Sequence, residues 1–319
     1  MKKRVLIQLL SVTVLCFMVA SIGYYILCAG LRNAKRDSVG KLNFITLDTA
    51  YFPTVFFGAS TIHVGMDPFL YDTLTGTKSF NASMDGIRIA EINLFIKKYI
   101  ARHGAPRNIF ISFDEKTLLT DKNVWYFSQY YPFINDTDFN KLIDLEPKLL
   151  LGRYAPALAI TYIDDPLKNL ALIGLTKDRN KREYDIPLKG FSPAYWKPMA
   201  QDIPVEVASY QADEGGWELL ENTLDLCAAK NVRVDFILPP RYKSTLSDST
   251  NKIIARLQSY EQKYNSHVFN FAEEDAFKSI ELFPNRTHVN ATGARMFTTL
   301  LAEKYIATIK ESQDSTDGK

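Results

Sequence analysis

Residues 54–60 read TVFFGAS, an apolar, β-branched and aromatic run that stops at a Gly-Ala-Ser corner. Such a run predicts a buried strand, and its small residues leave a serine at the strand's carboxyl end. The pattern recurs outward along the chain. SFNASM (79–84) reads as a second strand, followed by a helix near 86–103 with Ile89, Ile92, Ile96 and Tyr99 on one face. Gly104 and Pro106 stop that helix. NIFISFD (108–114) reads as a third strand, and a helix over 215–229 leads into VRVDFILPP (232–240), the fourth. A helix near 250–263 precedes HVFNFAE (267–273), the fifth strand, and a last helix covers 291–309.

Strands separated by helical patterns predict parallel βαβ units, hence an α/β fold with a doubly wound parallel sheet in flavodoxin-like order. Sites in such sheets lie at the carboxyl ends of the strands. Ser60, Gly86, Asp114 and Pro239 all fall at or just after those ends.

The gap at about 115–214 is too long for a plain crossover and predicts a helical insertion. It carries NVWYFSQYYPF (123–133), then apolar helical patterns over 138–175. The simplest expectation is extra helices packing on the sheet. A lid whose aromatic residues stack on sugar faces is a second, and a segment at 147–175 lying against a membrane surface is a third. Asp164, Asp165 and Lys168 argue against a true span there.

Val5 to Leu31 is a stretch of 27 residues with no charge. As a helix it reaches roughly 40 Å, more than the ~30 Å hydrocarbon core requires. A cleaved signal peptide has a shorter apolar region and a small-x-small site, which LCAG and LRNA fit poorly. Residues 1–31 therefore read as a cytoplasmic tip and transmembrane anchor, 32–50 as a polar spacer, 51–310 as the α/β domain and 311–319 as a disordered tail. Lys2, Lys3 and Arg4 on one side face Arg32, Lys35 and Arg36 on the other, so charge alone sets no orientation.

The three N-terminal cations are the only charges before Arg32, so the body carries 35 basic residues against 36 acidic ones, from 38 and 36 in the whole chain. That balance excludes a basic nucleic-acid footprint. Cys16 and Cys28 fall in the apolar stretch, and Cys227 keeps helical spacing with Trp217, Leu220 and Leu224 as a core residue. No disulfide framework, metal site or cofactor is expected.

Four histidines occur. His63, His103 and His267 read as solvated, His103 as a cation at a helix C-terminus. His288 stands in NRTHVNATGA (285–294), in the loop before the last helix, with Asn290 as that helix's N-cap. Taken singly, each candidate has a plain alternative: Ser60 a helix cap, Gly86 a turn glycine, His288 a solvated loop residue. Together they place a serine, a base and a flexible backbone N–H at one sheet edge, which is the equipment of nucleophilic catalysis.

Three stretches carry a resemblance. FFGAST…DP (56–68), NASMDG (81–86) and HVNATGARMF (288–297) resemble the nucleophile, oxyanion and histidine blocks of the SGNH (GDSL-like) hydrolase superfamily. The resemblance is to its membrane-anchored branch, which includes DltD-like cell-envelope proteins. LDLCAAKNVRVDFILPP (224–240) resembles a helix–strand unit of that branch. The resemblance spans about 52–114 and 215–309 and leaves the insertion unmatched.

It implies Ser60 as nucleophile, His288 as general base and acid, and the N–H groups of Ser60 and Gly86 as an oxyanion hole. It further implies an N-terminus inside and a body outside the cell membrane. The implied activity is ester hydrolysis or O-acyl transfer on a cell-envelope glycan or other acylated polymer. The alternative is a non-catalytic partner of a membrane acyltransferase. The chain departs from the family at two places. Asn285 stands where the family has Asp, and SFDEKT (112–117) lacks the oxyanion asparagine. Asp114 is the candidate substitute carboxylate behind His288, or a substrate-binding group.

Overall fold

The computed structural model describes residues 2–120, 124–178 and 187–317. The chain forms two compact units, one from residues 1–43 with 121–185 and one from 44–120 with 186–319. In chain order the first helices are α1 (Lys2–Asn33) and α2 (Asp37–Leu47). Then come β1 (Thr54–Phe57), α3 (Ser60–Gly65), α4 (Pro68–Thr75), β2 (Ser79–Asn81), α5 (Ile89–His103) and β3 (Asn108–Ser112). Four helices follow: α6 (Asn140–Leu145), α7 (Leu149–Tyr154), α8 (Pro156–Ala159) and α9 (Asp165–Thr176). The remainder is β4 (Glu206–Ala208), α10 (Glu214–Ala229), β5 (Arg233–Leu238), β6 (Ser244–Leu246), α11 (Asp248–Tyr264), β7 (Val268–Asn270) and α12 (Ala291–Asp317).

The second unit holds a five-stranded sheet in the order β2-β1-β3-β5-β7, every neighbouring pair parallel. Side chains of β1 alternate between its faces. Phe56 stacks on Phe110 with ring centroids 4.8 Å apart and belongs to a core with Tyr71, Phe271, Phe297 and Leu301 from α4, the β7 end and α12. Phe57 meets Tyr99 of α5, which is itself buried. Leu220, Leu224 and Cys227 of α10 are buried as their spacing predicts. The short pair β4–β6, also parallel, stands apart from the main sheet.

The first unit forms on α1, which is long and apolar enough to cross a bilayer. Its residues from Lys3 to Val19 are exposed throughout, but Tyr24, Cys28 and Leu31 are buried. Small residues set the packing there. A Cβ on Gly174 of α9 would lie 1.9 Å from the carbonyl oxygen of Gly30, and one on Gly30 would lie 2.3 Å from that of Ala171. The helices therefore touch backbone to backbone. Tyr24 packs edge-on against Tyr131, and Arg32 donates to the Pro132 carbonyl.

These findings redraw several boundaries. The uncharged stretch is not bare to Leu31, because its last third is a packing face for α9. The 32–50 spacer contains α2, whose Val39, Leu42, Phe44 and Ile45 are buried. Its polar opening hides the apolar spacing that follows. The insertion divides: 121–185 joins α1 as its own unit, while 187–214 belongs with the sheet. Within 124–133, Tyr130, Tyr131 and Phe133 are buried core, and Trp125 and Tyr126 are well exposed. Asn123 lies outside the described residues. The last helix continues past 309 to Asp317, into the tail read as disordered; residues 318–319 lie outside the described residues.

Candidate active site

The turn from β1 to α3 positions Ser60 as the first residue of α3. Gly58 makes the turn possible by close approach: a Cβ there would lie 2.7 Å from the Cβ of Ser112 on β3. Behind the turn, the buried Asn81 amide donates to the carbonyls of Ile62 and Met66, tying α3 to the end of β2. The nucleophile candidate thus sits on a short helix clamped from two sides.

His288 reaches it from the loop before α12. Asn290 caps that helix, its side-chain oxygen accepting from the N–H groups of Thr292 and Gly293, as the sequence predicts. Upstream, the Asn285 oxygen accepts the backbone N–H of Thr287 at 3.0 Å and of His288 at 2.9 Å, closing an Asx turn. It also lies 3.0 Å from Nδ1 of His288. Nε2 of the same ring lies 2.8 Å from Oγ of Ser60.

The tautomer follows from these contacts. Two backbone donors fix the oxygen of the Asn285 amide towards the loop, and an amide oxygen cannot donate. A hydrogen on Nδ1 of His288 satisfies the Asn285 oxygen, with the Thr287 hydroxyl 3.1 Å from the same nitrogen, and in that tautomer Nε2 presents a lone pair to the Ser60 hydroxyl. Burial lowers the His288 pKa below the ordinary histidine value, with Asp85 acting in the opposite direction. Neutral, correctly oriented imidazole is the form a general base requires.

Asp114 does not stand behind His288. It accepts a hydrogen bond from Thr61 Oγ1 at 2.8 Å, and its own N–H donates to Thr117 Oγ1. The substitute-carboxylate reading fails because the Asx turn already fills the Nδ1 side of the ring. Asp114 lies instead beside the residue after the nucleophile, where burial pushes its carboxyl up to about 6 against the Thr61 hydrogen bond and Arg241. The nearby carboxylate that sequence reading passed over is Asp85 of NASMDG, which pairs with His63 at 2.9 Å.

Gly86 holds a left-handed φ of 67°, which glycine adopts without strain. Neither its N–H nor that of Ser60 has an acceptor among the described residues.

Of the other three histidines, two are not solvated and His267 is partly exposed. His63 and His103 are buried; His103, the last residue of α5, points its two ring nitrogens at the carbonyls of Ala50 and Phe44, and burial lowers its pKa while those carbonyls act in the opposite direction. His267 accepts from Arg233, which also pairs with the buried Asp235 on β5. Each completes a local hydrogen-bond network that one-dimensional spacing does not display.

A strap from Phe191 to Met199 crosses beside the site. Ser192 donates to the His63 carbonyl, Ala291 donates to the Ala194 carbonyl, and Met199 donates to the Phe283 carbonyl. Between these pins Trp196 turns its ring edge-on to His288, centroids 6.2 Å apart, while remaining 56% exposed. Tyr195 beside it is 82% exposed. The aromatic residues at the site thus come from FSPAYWKPM (191–199), a stretch whose prolines and lack of periodicity gave no element signal. Among the described residues there is no group of three or more side chains suited to hold a metal ion.

Compared with protein-family models and with curated proteins, the chain matches none.

Proposed function

We propose that this protein is a membrane-anchored serine esterase or O-acyltransferase of SGNH type, acting on acyl esters of a cell-envelope polysaccharide from the extracytoplasmic side. One observation carries the reading: Ser60 Oγ, His288 Nε2, His288 Nδ1 and Asn285 Oδ1 stand in one hydrogen-bonded line, with steps of 2.8 and 3.0 Å. The strand order around it, read as 2-1-3-4-5 over the main sheet, supports a flavodoxin-like frame with the site at the carboxyl edge.

In the first half-reaction Ser60 Oγ attacks the ester carbonyl while His288 Nε2 takes the hydroxyl proton. The N–H groups of Ser60 and Gly86 receive the oxyanion. Collapse breaks the ester C–O bond and leaves acyl-Ser60, and His288 returns the proton to the departing alkoxide. Water or a sugar hydroxyl then attacks acyl-Ser60, giving up its proton to Nε2, and the reverse collapse frees Ser60. Asn285 supplies orientation without charge, so the imidazolium formed in each half is less stabilised than beside a carboxylate.

That missing charge favours the second reading, a catalytically silent partner of a membrane acyltransferase. Labelling with a fluorophosphonate probe separates the two. The wild-type chain reacts if the proposal holds and Ser60→Ala does not, with both melting at the same temperature; a silent wild type overturns it.

A further inference from the structure

The bare part of α1 ends where a second apolar surface begins. From Val5 to Val19 every residue of α1 is exposed, and after the half-buried Ala20 and Ser21 so is Ile22, a run of roughly 18 residues. At 1.5 Å per residue that is about 27 Å, close to the hydrocarbon thickness of a bilayer. The next residue, Gly23, faces Ile160: a Cβ there would meet the Ile160 side chain at 3.2 Å. Tyr24 then packs on Tyr131 and Gly152. The segment from α8 through the following turn, Pro156–Tyr162, therefore sits at the level where the bare helix stops.

That segment does not hide its apolar side chains. Flanking Ile160, Leu158 is 47% exposed and Tyr162 is 41% exposed. Tyr25, on the uncovered side of α1 near the same level, is exposed too. Lys148 places its ammonium over the rings of Phe127 and Tyr162. Tyrosine and lysine around the end of a bare apolar helix match the composition of a membrane–water interface, where aromatic rings sit at headgroup depth and lysine reaches the phosphates. The Asp165–Lys168 pair that follows is exposed and charged, which limits the contact to the headgroup layer.

We infer that the α8 segment, with Leu158 and Tyr162, is a lipid-facing seat that rests the first unit in the headgroup region of the bilayer crossed by α1. The inference rests on the membrane-anchor reading above and adds a second contact to it. A seat of this kind fixes the helix where it leaves the membrane, so that the chain after α1 departs from a defined height.

Photocrosslinking tests both layers separately. The full chain is placed in nanodiscs of phosphatidylethanolamine and phosphatidylglycerol, with p-benzoylphenylalanine introduced in turn at Leu158, Tyr162, Val12 and Tyr195. Adducts one phospholipid heavier are expected at Leu158 and Tyr162, several-fold above those at Tyr195. Adducts at Val12 with only background at Leu158 and Tyr162 overturn the seat and leave the anchor standing. Background at Val12 removes both. In native membranes, crosslinks from Leu158 and Tyr162 to a protein in place of lipid also overturn the seat, by assigning this surface to an integral membrane partner.

Discussion

Asn285 holds His288 through one oxygen atom, which lies 3.0 Å from the ring Nδ1 and 2.9 Å from the residue's own backbone nitrogen. The same atom that closes the loop also orients the ring. In a Ser-His-Asp triad, exchanging the aspartate for its amide costs about 10⁴ in rate, with the wrong histidine tautomer as the cause. Here the backbone donors force the amide oxygen onto the ring, so the tautomer is kept and only the negative charge is missing.

Asn285→Asp is expected to raise kcat/KM for an activated ester at least tenfold, because a carboxylate stabilises the imidazolium that forms on proton transfer. It also moves the acid limb of the pH–rate profile upward. The wild-type limb lies below the ordinary histidine range, since burial lowers the His288 pKa and the base form is the active one. A variant with an unchanged rate and limb sinks the general-base role.

Asp114 supplies a stability prediction independent of activity. Burial raises its pKa from the ordinary carboxylate value to about 6. A raised folded-state pKa means the native chain holds this proton more tightly than the unfolded one. Its contribution is therefore full below about pH 4 and is lost as pH rises through 6. Asp114→Asn cannot titrate, yet it still accepts from Thr61 through its side-chain oxygen. Relative to wild type it should gain roughly 2–3 kcal/mol between pH 4 and 7.5 in denaturant unfolding. Parallel stability curves would reject a buried, proton-holding Asp114.

Gly58 is constrained by contact. A methyl group there would press on Ser112 Cβ at 2.7 Å and Oγ at 3.3 Å. Gly58→Ala is expected to cost about 1–3 kcal/mol, the usual range for overpacking, and to lower Ser60 labelling by shifting the β1–α3 turn. Adding Ser112→Gly removes the obstructing atoms, and with them a buried hydroxyl that lacks a partner. The double variant should recover most of the loss. Absence of rescue in a double-mutant cycle would place the cost elsewhere.

The sheet was legible because each parallel strand is a short apolar run with a helical period beside it, as in TVFF, NIFIS and RVDFIL. Ser60 and His288 were legible as ends of such elements. The Asx turn was half legible: the three-residue spacing from Asn285 to His288 was visible, but not that one oxygen serves both backbone and ring. The packing face of α1 was hidden because lipid and a protein neighbour select the same residues. Tyr24, Cys28 and Leu31 look no different in sequence from the exposed Tyr25 and Ile26. The buried histidines were missed for the opposite reason. Their partners, such as Asp85 for His63 and the Ala50 carbonyl for His103, are brought in by the fold from 22 and 53 residues away.

Trp196 bears on substrate. Its ring meets His288 edge-on, and more than half of its surface faces solvent beside the reacting atoms. The strap that carries it is pinned by backbone hydrogen bonds at Ser192, Ala194 and Met199, so a side-chain truncation leaves its path in place. If the proposed glycan substrate is right, an indole face so placed can stack on the sugar that bears the ester, an interaction absent for a small activated ester. Trp196→Ala should therefore leave kcat on a small p-nitrophenyl ester within about threefold while raising KM for an acylated glycan about tenfold, a change worth about 1.4 kcal/mol of binding. Equal losses on both substrates would mean that Trp196 serves His288 alone, and an unchanged KM on the glycan would mean that the polymer approaches from another side.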